Sequence, residues 1–427
     1  MLLPDIIIVG GGAAGMTAAV AAAENGRSVT VLERNAKVLK KLCATGNGRG
    51  NLLNGGAPLY YGDEAFAHEV LKNMPYERLA EFWEGLGVPL RQDEEGRIYP
   101  AALQAAVAAE ALCLRAQQLH VKALVCARVT KVQAEKDGFL VTYEESIPLH
   151  GGVWGKKGAA IKQKLSEPTE QTCCAERIIV TAGGEAAPAH GTDGSGYGLL
   201  TGFGHTLVQP RPALCALVTE KRPIRGLAGQ RVRVKVALRD EHGKPLSQAK
   251  GEALFAEDGV SGIAVMQLAR DVLPGCRLHM DLRAELNRET LTVEELTAYV
   301  RDVGMRRTEL SVRDLFTGMF ASPVARAVLA AARVSEDERI AELTLANYRC
   351  LAETIADFSI AVLGTRGFAH AQVTAGGIRA DEFSSGTLES HLQKGLYAAG
   401  EVLDVDGGCG GFNLMFAVAS GLLAGRG

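Results

Sequence analysis

The chain has 427 residues, 47% of them hydrophobic and 22% charged, which is enough apolar material for two or three globular domains. The formal net charge of −3 gives no global basic field that would argue for nucleic-acid binding. No apolar run is long enough to cross a bilayer, and the N-terminus lacks a signal-peptide pattern, so we expect a cytoplasmic protein without a membrane or obligate protein partner. The nine cysteines show no C-x-x-C spacing, and no disulfide framework or metal site is expected.

The first residues predict a β-α-β unit. Asp5 to Val9 is a short, β-branched apolar run, and a glycine turn from Gly10 to Gly15 follows it. Met16 to Asn25 is an alanine-rich helix, and Ser28 to Leu32 is a second strand that ends in Glu33. Such a unit is typical of an α/β protein with a parallel sheet.

The glycine turn has the spacing of a dinucleotide-binding fingerprint. Gly10 permits a tight turn, Gly12 lets the backbone approach a pyrophosphate, and Gly15 lets the helix pack closely on the strand. The helix N-terminus then faces the phosphates with its partial positive charge. Glu33 would accept hydrogen bonds from an adenosine ribose and would repel a 2′-phosphate, which disfavours NADP at this site.

Further along the chain the pattern changes twice. Ala101 to Leu119 predicts a helix, Leu124 to Ala134 with Gly138 to Tyr143 a hairpin, and Arg177 to Val180 a buried strand. Residues 146–171 are polar and aperiodic and predict an exposed inserted loop. Alternating strands begin near residue 208, helical periodicity rich in Glu, Leu and Arg follows, and the glycine-rich α/β pattern returns near Gln372. The expected domain limits are 1–207, 208–285, 286–345, 346–370 and 371–427.

Two later strand-to-glycine junctions favour FAD over the shorter NAD. These are Ile179 to Gly184 and Tyr397 to Glu401, and the second leads into a glycine-rich turn and a final helix near Asn413 to Leu423. Backbone N–H groups at that helix start could meet the negative edge of a reduced flavin. The chain has one such fingerprint and no redox-active cysteine pair, which argues against a disulfide reductase. Gly191 to Gly196 is not a second fingerprint, because no strand precedes it and no convincing helix start follows.

Several longer strings carry a specific family resemblance. Among them are Thr45-Gly-Asn-Gly-Arg-Gly-Asn51, Thr181-Ala-Gly-Gly184, Gly364-Thr-Arg-Gly-Phe368 and Gly395-Leu-Tyr-Ala-Ala-Gly-Glu401. In these strings the chain resembles the BaiN-type (BaiN/RdsA) family of NAD(P)/FAD-dependent oxidoreductases, which also includes aminoacetone-oxidase-like flavoproteins. The resemblance implies a Rossmann-like FAD-binding domain of the glutathione-reductase type, interrupted by an inserted β-barrel domain with a small helical subdomain.

The glycine junctions and the resemblance together give the expected FAD contacts. The resemblance places Glu33 and Arg34 at the adenosine, backbone of Val129 at the adenine, and Glu401 at the ribityl chain. The full expected set is Gly10, Gly12, Ala13, Ala14, Gly15, Glu33, Arg34, Lys41, Leu42, Gly46, Asn47, Arg49, Asn51, Val129, Ala182, Gly183, Gly400, Glu401, Gly411, Asn413 and Leu414.

The chain departs from the family pattern at positions that we expect near the substrate side of the flavin. Gly50 stands where the family usually has cysteine, and Leu39 stands where glycine is common. Met415-Phe416 replaces Gln-Trp, and Glu185-Ala-Ala-Pro replaces Lys-Ser-Tyr-Pro. The substrate therefore does not follow directly from the resemblance.

Flavin chemistry and the resemblance favour reduction of a carbon–carbon double bond conjugated to a carbonyl. The acceptor would be a steroid-type enone or a uracil in ribosomal RNA giving dihydrouridine, with NAD(P)H as the transient electron donor. Cys409 is the leading candidate proton donor, and Tyr99 and His370 are weaker ones. The alternatives are a flavin amine oxidase of the aminoacetone-oxidase type and a flavin- or RNA-binding protein without turnover.

One local feature favours an RNA substrate. Residues 206–250 hold ten Lys or Arg against three acids, and Arg231, Arg233 and Lys235 alternate with valines on one face of a predicted strand. These three residues are candidate nucleic-acid or anion contacts, or form an ordinary solvated face. The lysines at 156, 157, 162 and 164 would add to the same charge.

Overall fold

The computed structural model describes residues 4–146 and 166–427. The chain forms two compact units, one of Met1–Arg211 with Val373–Gly427 and one of Pro212–Gln372. The predicted limits at 207/208 and 370/371 lie within a few residues of these boundaries. The lysines at 156, 157, 162 and 164 fall outside the described residues.

The described residues contain twenty-one strands and eleven α-helices. The strands are β1 Ile6–Val9, β2 Val29–Glu33, β3 Leu53–Asn54, β4 Tyr60–Gly62, β5 Leu90–Gln92, β6 Arg97–Pro100, β7 Lys122–Val125, β8 Ala127–Glu135, β9 Gly138–Glu145, β10 Thr169–Ala175, β11 Arg177–Val180, β12 Leu207–Ala213, β13 Leu217–Thr219, β14 Arg231–Arg239, β15 Pro245–Phe255, β16 Gly259–Ser261, β17 Arg277–Asp281, β18 Phe358–Thr365, β19 Val373–Ile378, β20 Leu396–Ala398 and β21 Val405–Gly407. The helices are α1 Ala13–Glu24, α2 Lys40–Ala44, α3 Glu64–Asn73, α4 Tyr76–Gly85, α5 Ala105–Gln118, α6 Ser195–Thr201, α7 Ile263–Met266, α8 Val293–Met305, α9 Ser322–Ala331, α10 Leu345–Ala356 and α11 Phe412–Arg426.

The first unit is built on a parallel sheet of five strands in the order β20-β11-β1-β2-β7. β1 is buried along its whole length, as its unbroken apolar run predicts. Because the strands are parallel, their carboxyl ends meet at one edge, and the glycine junctions after β1, β11 and β20 lie along it. The prediction of a Rossmann-like fold is confirmed.

Helices α1 and α11 pack against each other at very short range. A methyl group on Gly421 would overlap the carbonyl oxygen of Ala14, and one on Gly425 would overlap that of Ala18. The second contact lies four residues after the first in both helices, so the two helices run in the same direction. Ala14, one residue after the start of α1, therefore lies level with Gly421, nine residues after the start of α11, and the two helix starts are offset by about 12 Å along the axis at 1.5 Å per residue.

The second unit is a closed barrel with a helical insertion. Six antiparallel strands follow the order β13-β16-β15-β14-β17-β18, and the valines of β14 are buried in its interior. Helices α8 to α10 lie between β17 and β18 in sequence. The segment 346–370, predicted as the return of the barrel, begins with helix instead. Thr344 caps α10 in a capping box with Asn347, and the strand starts only at Phe358.

Four other local predictions need correction. The single strand predicted at 124–134 is two strands, because Cys126 adopts φ 56° and its N–H donates to Asn35. The helix predicted from residue 101 begins at Ala105, after Leu103 at φ 53°. Residues 169–171 of the predicted 146–171 loop belong to β10. A short helix, α6, does begin within the Gly191 to Gly196 segment.

Candidate cofactor site

The first glycine turn combines tight packing with one open position. Gly10 has φ 102°, and a methyl group there would lie 2.6 Å from the carbonyl oxygen of Thr181. One on Gly15 would overlap the carbonyl oxygen of Gly10. A methyl group on Gly12, in contrast, would meet no atom within 4 Å. Packing therefore requires glycine at the first and third positions, whereas the second faces free space that suits a pyrophosphate.

The N-terminus of α1 is suited to bind an anion. Gly12 is its N-cap, no side chain caps the first turn, and that turn contains no acid. The first backbone N–H groups of an α-helix have no partner within the helix, and the helix dipole adds partial positive charge there. Ala13 and Ala14, both in the expected set, supply backbone in this turn, as phosphate binding requires.

Glu33 lies at the end of β2, beside the glycine turn. One of its carboxylate oxygens accepts the Gly11 N–H at 2.7 Å, and the other accepts both the backbone and side-chain N–H groups of Asn35 at 2.7 Å. A carboxylate has about four acceptor positions, so about one remains for a ribose hydroxyl. Asn35 was not anticipated from the sequence. Its side chain also donates to the His190 carbonyl at 3.2 Å.

Arg34 lies beside a carboxylate of the same unit. Its guanidinium forms an ion pair with Asp193, and Arg128 lies 3.8 Å from the same carboxylate. Burial opposes ionisation of Asp193, but hydrogen bonds from Ser195 and Arg34 outweigh it, and the pKa of Asp193 is lower than usual. Arg34 thus contacts the segment after Gly191 while remaining exposed, and its role at the adenosine stays a prediction.

Lys41 and Glu401 were expected as separate contacts, but the structure brings them together. The Lys41 ammonium lies 2.6 Å from one oxygen of Glu401, and the Thr374 N–H donates to the other at 3.0 Å. The Thr374 hydroxyl accepts the N–H groups of Glu185 and Ala186, each at 2.9 Å. Thr374, also missed from the sequence, therefore joins the second and third glycine junctions.

The loop from Thr45 to Asn51 has an unusual backbone. Gly46, Asn47 and Gly48 have φ values of 57°, 55° and 83°, three left-handed residues in a row. The side chains of Asn47 and Arg49 are exposed. Glycine and asparagine are the residues that adopt this region most readily, so the sequence of the loop suits its backbone.

The second glycine turn precedes α11. Gly411 caps that helix with φ 106°, and no side chain caps the first turn. The Asn413 side-chain oxygen accepts the Gly407 N–H, and its side-chain nitrogen donates to the Gly407 carbonyl, each at 2.8 Å. This side chain therefore holds the turn in place, and a cofactor contact of Asn413 would come from its backbone. The Asn51 Oδ1 is buried without a hydrogen-bond partner and lies against Gly411. Buried polar atoms are normally hydrogen-bonded, so this oxygen has an unused acceptor position beside the second glycine turn.

The other expected contacts fall into two groups. The side chains of Leu42 and Val129 are buried, so only their backbones could contact a cofactor. Val129 lies beside a bulge in β8. Ala182, Gly183 and Gly400 follow β11 and β20 at the sheet edge, and Leu414 lies partly exposed in the first turn of α11.

The departures from the family pattern also have physical explanations. Gly50 has φ 76°, and a methyl group there would lie 2.8 Å from the Ala105 Cα, so this backbone excludes a cysteine. Leu39 is a left-handed residue at φ 59° and is buried in the core. Met415 and Phe416 are buried core residues, so they are not among the departures whose side chains line an exposed substrate surface.

The three proton-donor candidates differ in their surroundings. Burial raises the pKa of the Cys409 thiol, although nearby Arg97 opposes the shift. Burial likewise raises the pKa of Tyr99, whose electrostatic neighbours include Arg97, Arg49 and Cys409. His370 is exposed and belongs to the other unit. Cys409 and Tyr99 therefore share one neighbourhood beside the second glycine turn.

In the barrel, exposed and buried residues alternate along β14 as predicted, but acidic groups partly neutralise the positive charge of the exposed face. Arg231, Arg233 and Lys235 are exposed between buried valines. Arg231 forms an ion pair with Glu252, and Glu285 accepts the backbone N–H of Arg233 at 2.7 Å. These acids lie outside residues 206–250, so the local count of charges overstated the positive field of this face.

Comparison with known proteins identifies the family. The family model for the HI0933-like protein Rossmann domain matches residues 4–427. A 3-dehydro-bile acid delta(4,6)-reductase of Clostridium scindens is 34% identical over 98% of this chain and 97% of its own. The chain belongs to the HI0933-like family. Ribosomal RNA dihydrouridine synthases of Escherichia coli and Haemophilus influenzae are each 25% identical over 97% of this chain and 96% of theirs.

The resemblance to the BaiN/RdsA proteins is thereby confirmed, and this member of the HI0933-like family is a flavin-dependent oxidoreductase. The α/β class with an additional closed barrel is confirmed as well. Among residues 4–146 and 166–427, no helix is both long and apolar enough to span a membrane.

Proposed function

We propose that the first unit binds FAD and that the enzyme reduces a carbon–carbon double bond conjugated to a carbonyl in a small, steroid-type enone. The observation that carries the cofactor assignment is the pair of parallel, uncapped helices α1 and α11, whose starts are offset by about 12 Å. Two anion-binding helix ends at that separation suit a ligand with a pyrophosphate at one end and an electron-rich ring at the other.

The residues present fit such a group. The open space over Gly12 suits the pyrophosphate, and the remaining acceptor position of Glu33 suits a ribose hydroxyl. Unpaired Asn51 Oδ1 would accept a hydrogen bond from an N–H of the ring system. Lys41 and Glu401 offer a charge pair between these two ends.

Bound FAD would supply the hydride chemistry, with NAD(P)H as the electron donor. The chain's own contribution is to orient the acceptor, exclude water and hold a proton. The raised pKa of the Cys409 thiol keeps it protonated at neutral pH and also makes it a weaker acid, so we propose it as the group that holds this proton. Tyr99 is the second candidate for the same step.

Two observations support a small enone over ribosomal RNA. The relative named as a bile acid reductase is 34% identical, against 25% for the dihydrouridine synthases. In addition, acids offset the basic face of β14, which lowers the number of free cations that could neutralise RNA phosphates.

An anaerobic stopped-flow experiment tests the proposal. The flavin absorbance near 450 nm is first bleached with NADH or NADPH, and the reduced enzyme is then mixed with a 3-oxo-Δ4,6 bile acid, with unmodified ribosomal RNA, or with buffer. We expect the absorbance to return with the bile acid, together with formation of the saturated product.

Each alternative predicts a different trace. Recovery only with RNA would favour the dihydrouridine synthase. Bleaching by aminoacetone without any response to a nicotinamide would favour the amine oxidase. If neither donor nor acceptor changes the spectrum of the bound flavin, the binding-only interpretation replaces the proposal.

A further inference from the structure

The outer face of the barrel contains a groove that the proposed function does not use. It has a volume of about 570 Å³ and lies over strands β14, β15 and β17. The residues around it that carry the argument are Lys235, Ala237, Arg239, Gln248, Lys250 and His279. All of them belong to the second unit.

Strand register explains why a groove forms here. Lys235, Ala237 and Arg239 are alternate residues of β14 and therefore share one face. Ala237 lies between Gln248 of β15 and His279 of β17. Because Ala237 has the smallest side chain of these, it forms the floor, and the longer side chains around it form the walls.

Like charges lie opposite each other on both sides of Ala237. Lys235 pairs with Lys250 across β14 and β15, and Arg239 pairs with Arg277 across β14 and β17. On its other side Lys235 lies opposite Asp281 of β17. Like charges directly opposite in a sheet are destabilising, and an anion in the groove, which Lys235, Lys250 and Arg239 line, would offset both repulsions.

The protein neutralises part of this charge itself. Glu289 lies 3.0 Å from the Lys250 ammonium. The two acids of the groove are also engaged: Asp281 forms a two-point ion pair with Arg283, at 2.9 and 2.8 Å, and Asp357 accepts from His279 at 2.8 Å.

Two cations are left over. Within the part of the chain that the structure describes, the side chains of Lys235 and Arg239 make no ion pair within 4 Å and no hydrogen bond, although Lys235 acts electrostatically on Glu289. They lie on either side of Ala237, about 13 Å apart at their Cα atoms along an extended strand. Their long side chains can both reach a ligand that lies over Ala237, where Gln248 and His279 supply hydrogen-bonding groups.

We propose that this groove binds a phosphate group. A phosphate has several acceptor oxygens and up to two negative charges, which match one ammonium and one planar guanidinium. It could come from a small phosphorylated molecule or from a nucleic-acid backbone. This site does not depend on the proposed function, because none of its residues belongs to the cofactor site.

The test compares two probes with three proteins. Inorganic phosphate is titrated against the flavin-loaded enzyme by NMR, following the shifts of the groove amides, and a fluorescent 20-nucleotide single-stranded RNA is titrated by anisotropy at two salt concentrations. The proteins are the wild type, the double variant Lys235→Ala with Arg239→Ala, and Arg231→Ala. Arg231 lies on the same strand face but is paired with Glu252, so it serves as the matched control.

We expect the double variant to bind at least one probe about tenfold or more weakly than wild type, and Arg231→Ala to stay within about twofold. Loss of phosphate binding points to a small ligand. Loss of RNA binding, with a salt slope lowered by about one per removed contact, points to a nucleic acid. If neither probe binds, or if the double variant binds both as wild type does, the proposal is wrong.

Discussion

The two glycine turns of the first unit make a useful comparison. Each precedes an uncapped helix, and each contains glycines whose neighbours leave no room for a side chain. The first turn is formed by one short stretch of chain, and the carboxylate beside it, Glu33, already has three hydrogen bonds. The second is assembled from distant segments and leaves the Asn51 oxygen unpaired. In the first turn most acceptor positions of the carboxylate are occupied, whereas the second keeps an unused acceptor that the proposed flavin would fill.

The largest expected effect distinguishes the glycine that the fold of the first turn requires from the glycine that faces the proposed ligand. Gly15→Ala places a methyl group on the Gly10 carbonyl oxygen, and we expect it to lower the free energy of unfolding by about 3 kcal/mol or more. Gly12→Ala meets only open space and should unfold like wild type, yet bind FAD at least about tenfold more weakly. Urea unfolding and flavin-fluorescence titration check the pair. Equal effects on stability would contradict the assigned roles.

Glu33→Gln tests the adenosine side of the same turn. Its amide must place an N–H group against either Gly11 or Asn35, both of which are donors. We expect FAD to bind about 10- to 100-fold more weakly, the range for a hydrogen bond to a charged group. Glu24→Gln, an exposed acid at the end of α1, is the control and should stay within about twofold. An unchanged dissociation constant for Glu33→Gln would remove this residue from the site.

Asn51→Leu tests whether the second turn is incomplete without its ligand. Removing an unpaired buried polar atom should leave the cofactor-free protein as stable as wild type, or about 1 kcal/mol more stable. FAD should nevertheless bind more weakly, with an altered visible spectrum. Thermal unfolding of the cofactor-free and FAD-loaded forms measures both. Destabilisation of the cofactor-free form would show that Asn51 is a structural residue.

The smallest expected effect concerns Cys409. Burial raises its pKa, so the thiolate fraction near neutral pH is lower than for a free thiol. Alkylation of Cys409 by iodoacetamide, followed by peptide mass spectrometry, should be slower than that of glutathione. Its rate should still rise above about pH 8.5, the ordinary cysteine pKa.

The raised pKa also affects stability in a defined direction. The stability contributed by this neutral thiol is fully present below the ordinary cysteine pKa and is lost as the pH rises through the raised pKa of the folded protein. A Cys409→Ser variant should therefore lose less stability than wild type over the alkaline range. Fast alkylation of Cys409 at neutral pH would contradict its assignment as a protonated donor.

The sequence predicted what depends on local pattern. The fingerprint from Gly10 to Gly15, the acid at the end of β2 and the alternation of β14 are all short-range features, and the structure contains them. The sequence did not predict a site role for Thr374, because its hydrogen-bond partners lie in two other segments of the chain. Lys41 and Glu401 are 360 residues apart in the sequence, so their ion pair could not be predicted from it either.

Charge was misread for the same reason. The excess of cations in residues 206–250 suggested a basic face, but Glu252 and Glu285 approach it from later parts of the chain. Arg34, expected at the adenosine, also forms an ion pair with Asp193, a contact that the sequence did not suggest. Ion pairs are formed by the fold, so a local count of charges cannot show which cations remain free.

The most direct test of the central claim is competition between ADP and FAD in two variants. If one FAD occupies both turns, Gly12→Ala should weaken ADP and FAD alike, because both carry the phosphates that meet the first helix. Asn51→Leu should weaken FAD and leave the ADP inhibition constant within about twofold of wild type, since ADP has no flavin. If Asn51→Leu weakens ADP as strongly as FAD, the two turns do not hold opposite ends of one cofactor.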